Sequence, residues 1–340
     1  MRNPKTIAGR LCCWLCAAAL LLAGCGGEKA QPTDAETMAI QTTSIETTSA
    51  QTTAPAPTVE GQLEYGGKTY LPREDIQTLL LMGLDKYERP ENAIGYTNKL
   101  QSDFLLLVVI DENAKTVELL HLNRDTMTTI RRLGVGGGAA GTFTGQLALA
   151  HTYGSGGSDS CLNAVKAVST LLDGVPIDHY MTLTMDAVGQ INDLVGGVSV
   201  TVLDDFSEID PALEQGKEVT LRGDQALVYV RTRLGLEDSS NLHRMERQRQ
   251  YLAALYAKLM EHSRASGDFL AKTLLTVSDS MVSDCTVNQL ETLGDLLTQC
   301  TIAPIRTLEG EAVLGEEYIE FYVDEASLRD TVLALLYREA

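Results

Sequence analysis

From residue 79 onward the apolar positions recur with two alternating periods. Leu79, Leu80, Leu81, Met82 and Gly83 form a short buried run, 104–110 reads as a continuous apolar strand, and 116–122 as a second strand close behind it. Asp111, Glu112 and Asn113 supply a hairpin turn between the last two. Ser158 and Asp159 can cap a helix whose apolar positions Leu162, Val165, Val168, Leu171 and Leu172 keep helical spacing until Gly174 stops it. A strand at 179–184, a helix at 186–194 ended by Gly196 and Gly197, and a strand at 198–203 follow. Helices with one apolar face are predicted over 244–261, 268–277 and 287–297, then a strand at 318–323 and a final helix to the C-terminus. Such alternation requires a sheet covered by helices on both faces. The expectation is one α/β/α sandwich domain over residues 70–340, with a central mixed sheet and a helical C-terminal part.

The amino end follows a different pattern. Arg2, Lys5 and Arg10 precede an uncharged run at 11–24, which is shorter than the roughly 18 to 20 apolar residues that cross ~30 Å of hydrocarbon. The run ends in Leu22-Ala23-Gly24-Cys25-Gly26, which resembles the end of lipoprotein signal peptides. That resemblance implies a signal peptide over 1–24 and a lipid anchor at Cys25, holding the chain on the outer face of the bacterial cytoplasmic membrane. The next stretch has no aromatic residue up to Glu64 and carries Thr-Thr doublets at 42, 47 and 52 beside Pro55-Ala56-Pro57. Residues 25–69 therefore read as a disordered tether, with too little apolar area to offset the entropy of ordering.

Charge narrows the partners. The 340 residues carry 27 Lys plus Arg against 46 Asp plus Glu, a net of -19. This argues against nucleic acid held on a general basic surface, and a 5% aromatic fraction against a stacking platform. Removing 1–24 takes away three positive charges and no acid, so 24 against 46 leaves -22. Lipid and not charge must then hold the chain to a membrane.

Several motifs carry no function. Cys13-x-x-Cys16 lies within the signal segment, and the spacing of Cys161, Cys285 and Cys300 fits no metal motif, while a Cys285–Cys300 disulfide stays open. Gly136-Gly137-Gly138-Ala139-Ala140-Gly141 follows no strand and opens no apolar helix, so it reads as a mobile loop and not a dinucleotide fingerprint. The histidines at 121, 151, 179, 243 and 262 form no metalloprotease pair, and no G-x-S-x-G elbow occurs.

What remains is a set of arginines and carboxylates. Asp85 follows one buried strand and Asp103 precedes the next, where hard oxygen ligands suit Mg²⁺ with bound phosphate; a turn cap and a solvated loop residue fit the same spacing. Arg124 and Asp125 close the strand ending at Asn123, and Arg231 and Arg233 follow the apolar segment 226–230. Arg244, Arg247 and Gln248 share one side of a helix, while Arg249 falls on its solvated side. Between 231 and 249 there are five arginines and three acids, a local +2 that marks where an anion should dock.

Ser102-Asp103-Phe104, Leu122-Asn123-Arg124-Asp125-Thr126, Gln146-Leu147-x-x-Ala150-His151-x-Tyr153-Gly154, Pro176-Ile177-Asp178-His179-Tyr180, Val195-Gly196-Gly197-Val198 and Leu221-x-Gly223-x-x-Ala226-Leu227-x-Tyr229-x-Arg231-x-Arg233 occur in one order. With Arg244-x-x-Arg247-Gln248 they resemble the LytR-CpsA-Psr family from about residue 75 to about 260. The resemblance implies an extracytoplasmic Mg²⁺-dependent phosphotransferase (Mn²⁺ also serving). It would move a teichoic acid or polysaccharide type of glycopolymer from a polyprenyl diphosphate carrier onto peptidoglycan, in a fold with an apolar tunnel for the prenyl chain. Asp85 and Asp103 match its metal-linked aspartates, Arg124, Arg231, Arg233 and Gln248 its diphosphate-binding groups, with Arg244 and Arg247 in the same signature. Asp125 matches the acid beside the first arginine and is a candidate base. The chain departs from the pattern at Leu122-Asn123 for Ile-Pro, Gln146 for Lys and Asn241 for Asp, and Glu91 lies in a long loop after Asp85. A hydrolase using water as acceptor, and a non-catalytic prenyl-phosphate-binding regulator, stay open beside the transferase.

Overall fold

Apolar residues on both sides of the central strands decide the architecture, because neither face of such a strand can be left to water. The computed structural model describes residues 61–85, 100–134, 138–233 and 241–340. The signal peptide, Cys25, most of the tether, Gly136, Gly137 and the 86–99 loop with Glu91 lie outside the described residues.

The chain opens with β1 (Leu63–Tyr65) and β2 (Lys68–Pro72), then lays down β3 (Ile76–Leu84), β4 (Ser102–Asp111) and β5 (Thr116–Leu122) as an antiparallel meander. A hairpin of β6 (Met127–Leu133) and β7 (Ala139–Gln146) leads to α1 (Leu149–Thr152) and α2 (Gly157–Leu171). Next come β8 (His179–Leu183), α3 (Met185–Leu194), β9 (Val198–Thr201), β10 (Glu218–Leu221), α4 (Asp224–Arg231) and the long α5 (Leu242–Ala265). The last part holds α6 (Phe269–Thr276), β11 (Met281–Ser283), α7 (Val287–Gln299), β12 (Thr301–Ile302) and β13 (Arg306–Thr307). It closes with β14 (Gly310–Leu314), β15 (Ile319–Val323), α8 (Glu325–Leu336) and β16 (Tyr337–Glu339).

The main sheet has seven strands in the order β11-β8-β3-β4-β5-β12, with β13 continuing beside β5. β8 runs parallel to β3, and β12 and β13 parallel to β5, while the other pairs are antiparallel, so the sheet is mixed. Side chains alternate across it. Leu105, Leu107, Val109, Leu120 and Leu122 pack with α2 and α8, whereas Leu106, Val108, Ile110, Val117 and Leu119 pack with Leu293 and Leu296 of α7 and Leu252 of α5. A third core joins β9, β10, α3 and α4 to Tyr251 and Leu255 of α5. At the α1–α2 corner a Cβ on Gly154 would lie 2.3 Å from Ser160 Cα, so only glycine fits there.

The structure corrects several expectations. β1 and the start of β2 lie inside the segment read as tether. The Gly-rich stretch is in part strand, since β7 starts at Ala139. The apolar segment 226–230, which the sequence reading assigned to no element, lies in α4 with Ala226, Leu227 and Tyr229 turned inward. Leu162, placed on the apolar face of its helix, is exposed. The final helix stops at Leu336, where β16 pairs with β2. Cys161, Cys285 and Cys300 are free thiols. Among the described residues, no helix is long and apolar enough to cross a membrane.

Candidate active site

In a meander, the end of one strand lies beside the start of the next, so the exit of β3, the entry of β4 and the exit of β5 share one sheet edge. That edge holds Asp85, Asp103 and Arg124. The register between β3 and β4 shifts at Gly83 and Leu84, which pair with Phe104 and Ser102 and leave Asp103 unpaired. Such a bulge re-aims a side chain. The Asp103 carboxylate accepts from Arg124 Nη1 on one oxygen and, at 3.2 Å, from Arg244 Nη1 of α5 on the other. Arg124 Nη2 donates to Gln101 Oε1, and its Nε lies 3.5 Å from Asp125 Oδ1.

Burial raises the stakes of this cluster, because buried charges need partners. Arg124, Asp125 and Arg244 are all buried. Arg244 is pushed down to about 10 by burial and by neighbouring Arg233 and Arg124, against the pull of Asp103 and Asp125. Burial pushes Asp125 up, with Arg124, Arg244 and Arg233 acting against it. Asp85 is raised chiefly by burial and also by Asp103; its Oδ1 accepts from the Gln101 backbone at 2.9 Å. Arg244 Nη2 and Gln248 Oε1 are buried polar atoms without a hydrogen-bond partner among the described residues.

Four residues that the sequence left unmarked or showed only as departures complete the frame. Asn123 Oδ1 accepts from Asp125 N and, at 3.0 Å, from Asn241 Nδ2, while Asn241 Oδ1 accepts from Arg244 Nε at 2.7 Å. The departures at 123 and 241 thus pair with each other: an Asp at 241 would have no proton to donate and a Pro at 123 no side-chain oxygen. Gln146 donates to Asp125 Oδ1 at 3.0 Å and to the Ile319 carbonyl at 2.7 Å, a neutral contact where a Lys would bring charge. Gln101 is the fourth such residue, accepting from Arg124 Nη2, and nothing in its spacing marks it.

The other predicted residues are placed differently. Arg231 is exposed at the end of α4 and Arg233 is exposed just beyond it, yet the charge of Arg233 acts on both Asp125 and Arg244. Arg247 is fully buried but turned elsewhere, donating to Asp204, to the Tyr229 carbonyl at 2.8 Å and to the Thr232 carbonyl, with its guanidinium over Phe206. Gln248 donates to the Val230 carbonyl at 3.2 Å. Arg249 is not on a solvated side: it is half-buried, its pKa lowered by burial, and it lines a cavity of about 230 Å³ with Asn123, His243, Met245, Leu308 and Phe321. Side chains of α5 at 244, 247 and 249 therefore enter three separate environments.

The site is thus a sheet-edge cluster of buried guanidinium and carboxylate groups on a mixed α/β sandwich. The LytR_cpsA_psr family model matches residues 36–333. The chain belongs to the LytR_cpsA_psr family. The match extends beyond both ends of the expected 75–260. Among relatives, the polyisoprenyl-teichoic acid–peptidoglycan teichoic acid transferase TagU of Halalkalibacterium halodurans is 31% identical over 191 residues, 56% of this chain and 55% of that one. TagV of Bacillus subtilis, of the same named activity, is 30% identical over 213 residues, 59% of this chain and 50% of that one. The chain spans about half the length of these curated relatives. The crystal structure of B. subtilis TagV superposes with a TM-score of 0.58 at 23% identity, covering 77% of this chain and 96% of that one, and establishes the shared fold.

Proposed function

We propose that this protein is an extracytoplasmic phosphotransferase that moves a polyprenyl-diphosphate-linked glycopolymer onto peptidoglycan. One observation carries the reading: a buried arginine pair, Arg124 and Arg244, grips Asp103 while Arg244 Nη2, in the same cluster, has no hydrogen-bond partner among the described residues. An unsatisfied buried guanidinium donor is costly unless a ligand oxygen meets it. The kinship with transferases named for teichoic acid supplies the polymer class. The prenyl chain would lie in the apolar layer between the sheet and α5 and α7, and Cys25 would tether the domain to the outer face of the cytoplasmic membrane.

In the transfer, a peptidoglycan hydroxyl oxygen attacks the phosphorus that bears the polymer. The bond from that phosphorus to the polyprenyl phosphate oxygen breaks, giving a polymer phosphodiester and polyprenyl monophosphate. Arg124 and Arg244, with Arg233 at the rim, neutralise charge that builds on the phosphoryl oxygens. Asp125 accepts the hydroxyl proton, its basicity increased by burial. Arg124, Arg233 and Arg244 balance Asp85, Asp103 and Asp125 one for one, so a diphosphate would add uncompensated negative charge. The carboxylates of Asp85 and Asp103, close enough for Asp103 to raise Asp85, are hard oxygen donors that fit Mg²⁺ or Mn²⁺. Such an ion, when bound, supplies Lewis-acid charge to phosphate oxygens. The test is turnover of a polyprenyl diphosphate substrate: EDTA should abolish it, Mg²⁺ or Mn²⁺ should restore it, and Asp103→Ala should lose that restoration while keeping its fold. Activity that survives EDTA removes the metal from the account.

A further inference from the structure

A second cluster of ligating groups lies away from the arginines. β8 and β11 are antiparallel with Ser283 opposite Met181, and the chain turns just beyond Ser283, bringing Asp284 and Cys285 beside the start of β8. His179 pairs with Leu79 of β3, five residues back from Leu84, or roughly 16 Å from the arginine edge at the usual strand rise. The cluster is therefore separate from the proposed active site.

A ligand atom from each of His179, Asp284 and Cys285 lies within 4.8 Å of the others. His179 Nδ1 is buried, makes no hydrogen bond, and sits 3.5 Å from Asp284 Oδ2. The Asp284 carboxylate is fixed by the Tyr180 backbone, which donates to Oδ1 at 2.9 Å. Cys285 is steadied by its backbone donating to Ser283 Oγ at 3.1 Å. In a tetrahedral Zn²⁺ site, bond lengths of about 2.0–2.3 Å place ligand atoms roughly 3.3–3.8 Å apart. Closing the cluster to that spacing takes an adjustment of about 1 Å at side chains on the half-exposed rim of the sheet. An orphaned imidazole nitrogen facing a carboxylate and a thiol is what a cation would satisfy.

We infer that His179, Asp284 and Cys285 form a binding site for a divalent cation of the Zn²⁺ class. A thiolate with imidazole selects a borderline or soft ion over Mg²⁺ or Ca²⁺. Thiolate and carboxylate together cancel the two positive charges, and a water completes the fourth position. Bound there, the ion ties the start of β8 to the β11–α7 connection, since Cys285 stands two residues before α7.

The test uses the untagged full-length chain, reduced and stripped of metal, titrated with Zn²⁺ and separately with Co²⁺. One Zn²⁺ per chain is expected, with a thiolate-to-Co²⁺ charge-transfer band that Cys285→Ser abolishes and Cys300→Ser keeps. His179→Ala should weaken Zn²⁺ binding by about tenfold or more, and His179→Gln serves if the alanine variant does not fold. No stoichiometric binding, a band that survives Cys285→Ser, or a Cys285–Cys300 disulfide in the protein as isolated would each overturn the assignment.

Discussion

Two arginines on one helix do different work. Arg124 and Arg244 present guanidinium forks to Asp103, whereas Arg247 is consumed by Asp204 and two backbone carbonyls. Arg124→Lys keeps the charge and loses the fork, so it should fold normally and lose about a hundredfold to a thousandfold in transfer. Arg247→Met leaves buried Asp204 with only the half-exposed His243 imidazole 3.3 Å away and should cost roughly 3 kcal/mol or more in a denaturant melt. A normal melt for Arg247→Met, or full activity for Arg124→Lys, contradicts this division. Buried His121 gives a pH signature. Burial, and then Arg249 and Arg244, push its pKa down to about 3 from 6.5, so the fold favours the neutral ring. The unfolded chain then binds the extra proton first, and stability present above pH 6.5 is lost as pH falls toward 3, at up to about 1.4 kcal/mol per unit. Buried His151, lowered to about 4, adds in the same direction. Melting temperatures of wild type and His121→Gln across that range should converge in acid; parallel curves would rule the histidine out.

At the scale of elements, the bond between Asn123 and Asn241 joins the exit of β5 to the start of α5. Through Arg244 it sets where the helix presents its guanidinium. A double-mutant cycle of Asn123→Ala and Asn241→Ala should show a coupling of about 0.5–3 kcal/mol, and additive losses would mean that the pair carries nothing. The sequence made some of this visible. β3, β4, β5, α2, α3 and α5 were legible because buried strands and amphipathic helices write their periods directly into Leu and Val positions. The β6–β7 hairpin was not, since Gly138, Gly141 and Gly145 interrupt its alternation, and β12, β13 and β16 are too short to show a period. The helix α4 could not be told from a strand because five apolar residues in a row fit either period. Asp103, Arg124 and Asp125 could be picked out from their places at strand ends. The inward turn of Arg249 could not, because it depends on Thr307, Leu308 and Phe321, which arrive from the far end of the chain.

For the whole molecule, a mixed sheet brings carboxylates from two strand junctions beneath an arginine-bearing helix, inside a chain whose overall charge is strongly negative. The cluster is locally balanced where the rest of the chain is acidic, and its buried position in a low-dielectric edge strengthens each of its charge interactions. The β14–β15 hairpin closes over this edge, with the Phe321 backbone donating to the Asp125 carbonyl at 2.9 Å, so the C-terminal part belongs to the same unit as the site. The central claim is transfer to an acceptor by this cluster. The most direct measurement supplies the full chain with a polyprenyl-diphosphate-linked glycopolymer and Mg²⁺, with and without peptidoglycan, and follows polymer attachment and polyprenyl monophosphate release together. Both should appear in equal amounts only when peptidoglycan is present, and Arg124→Lys should remove both. Release of polyprenyl phosphate at the same rate without peptidoglycan would make the protein a hydrolase and contradict the claim.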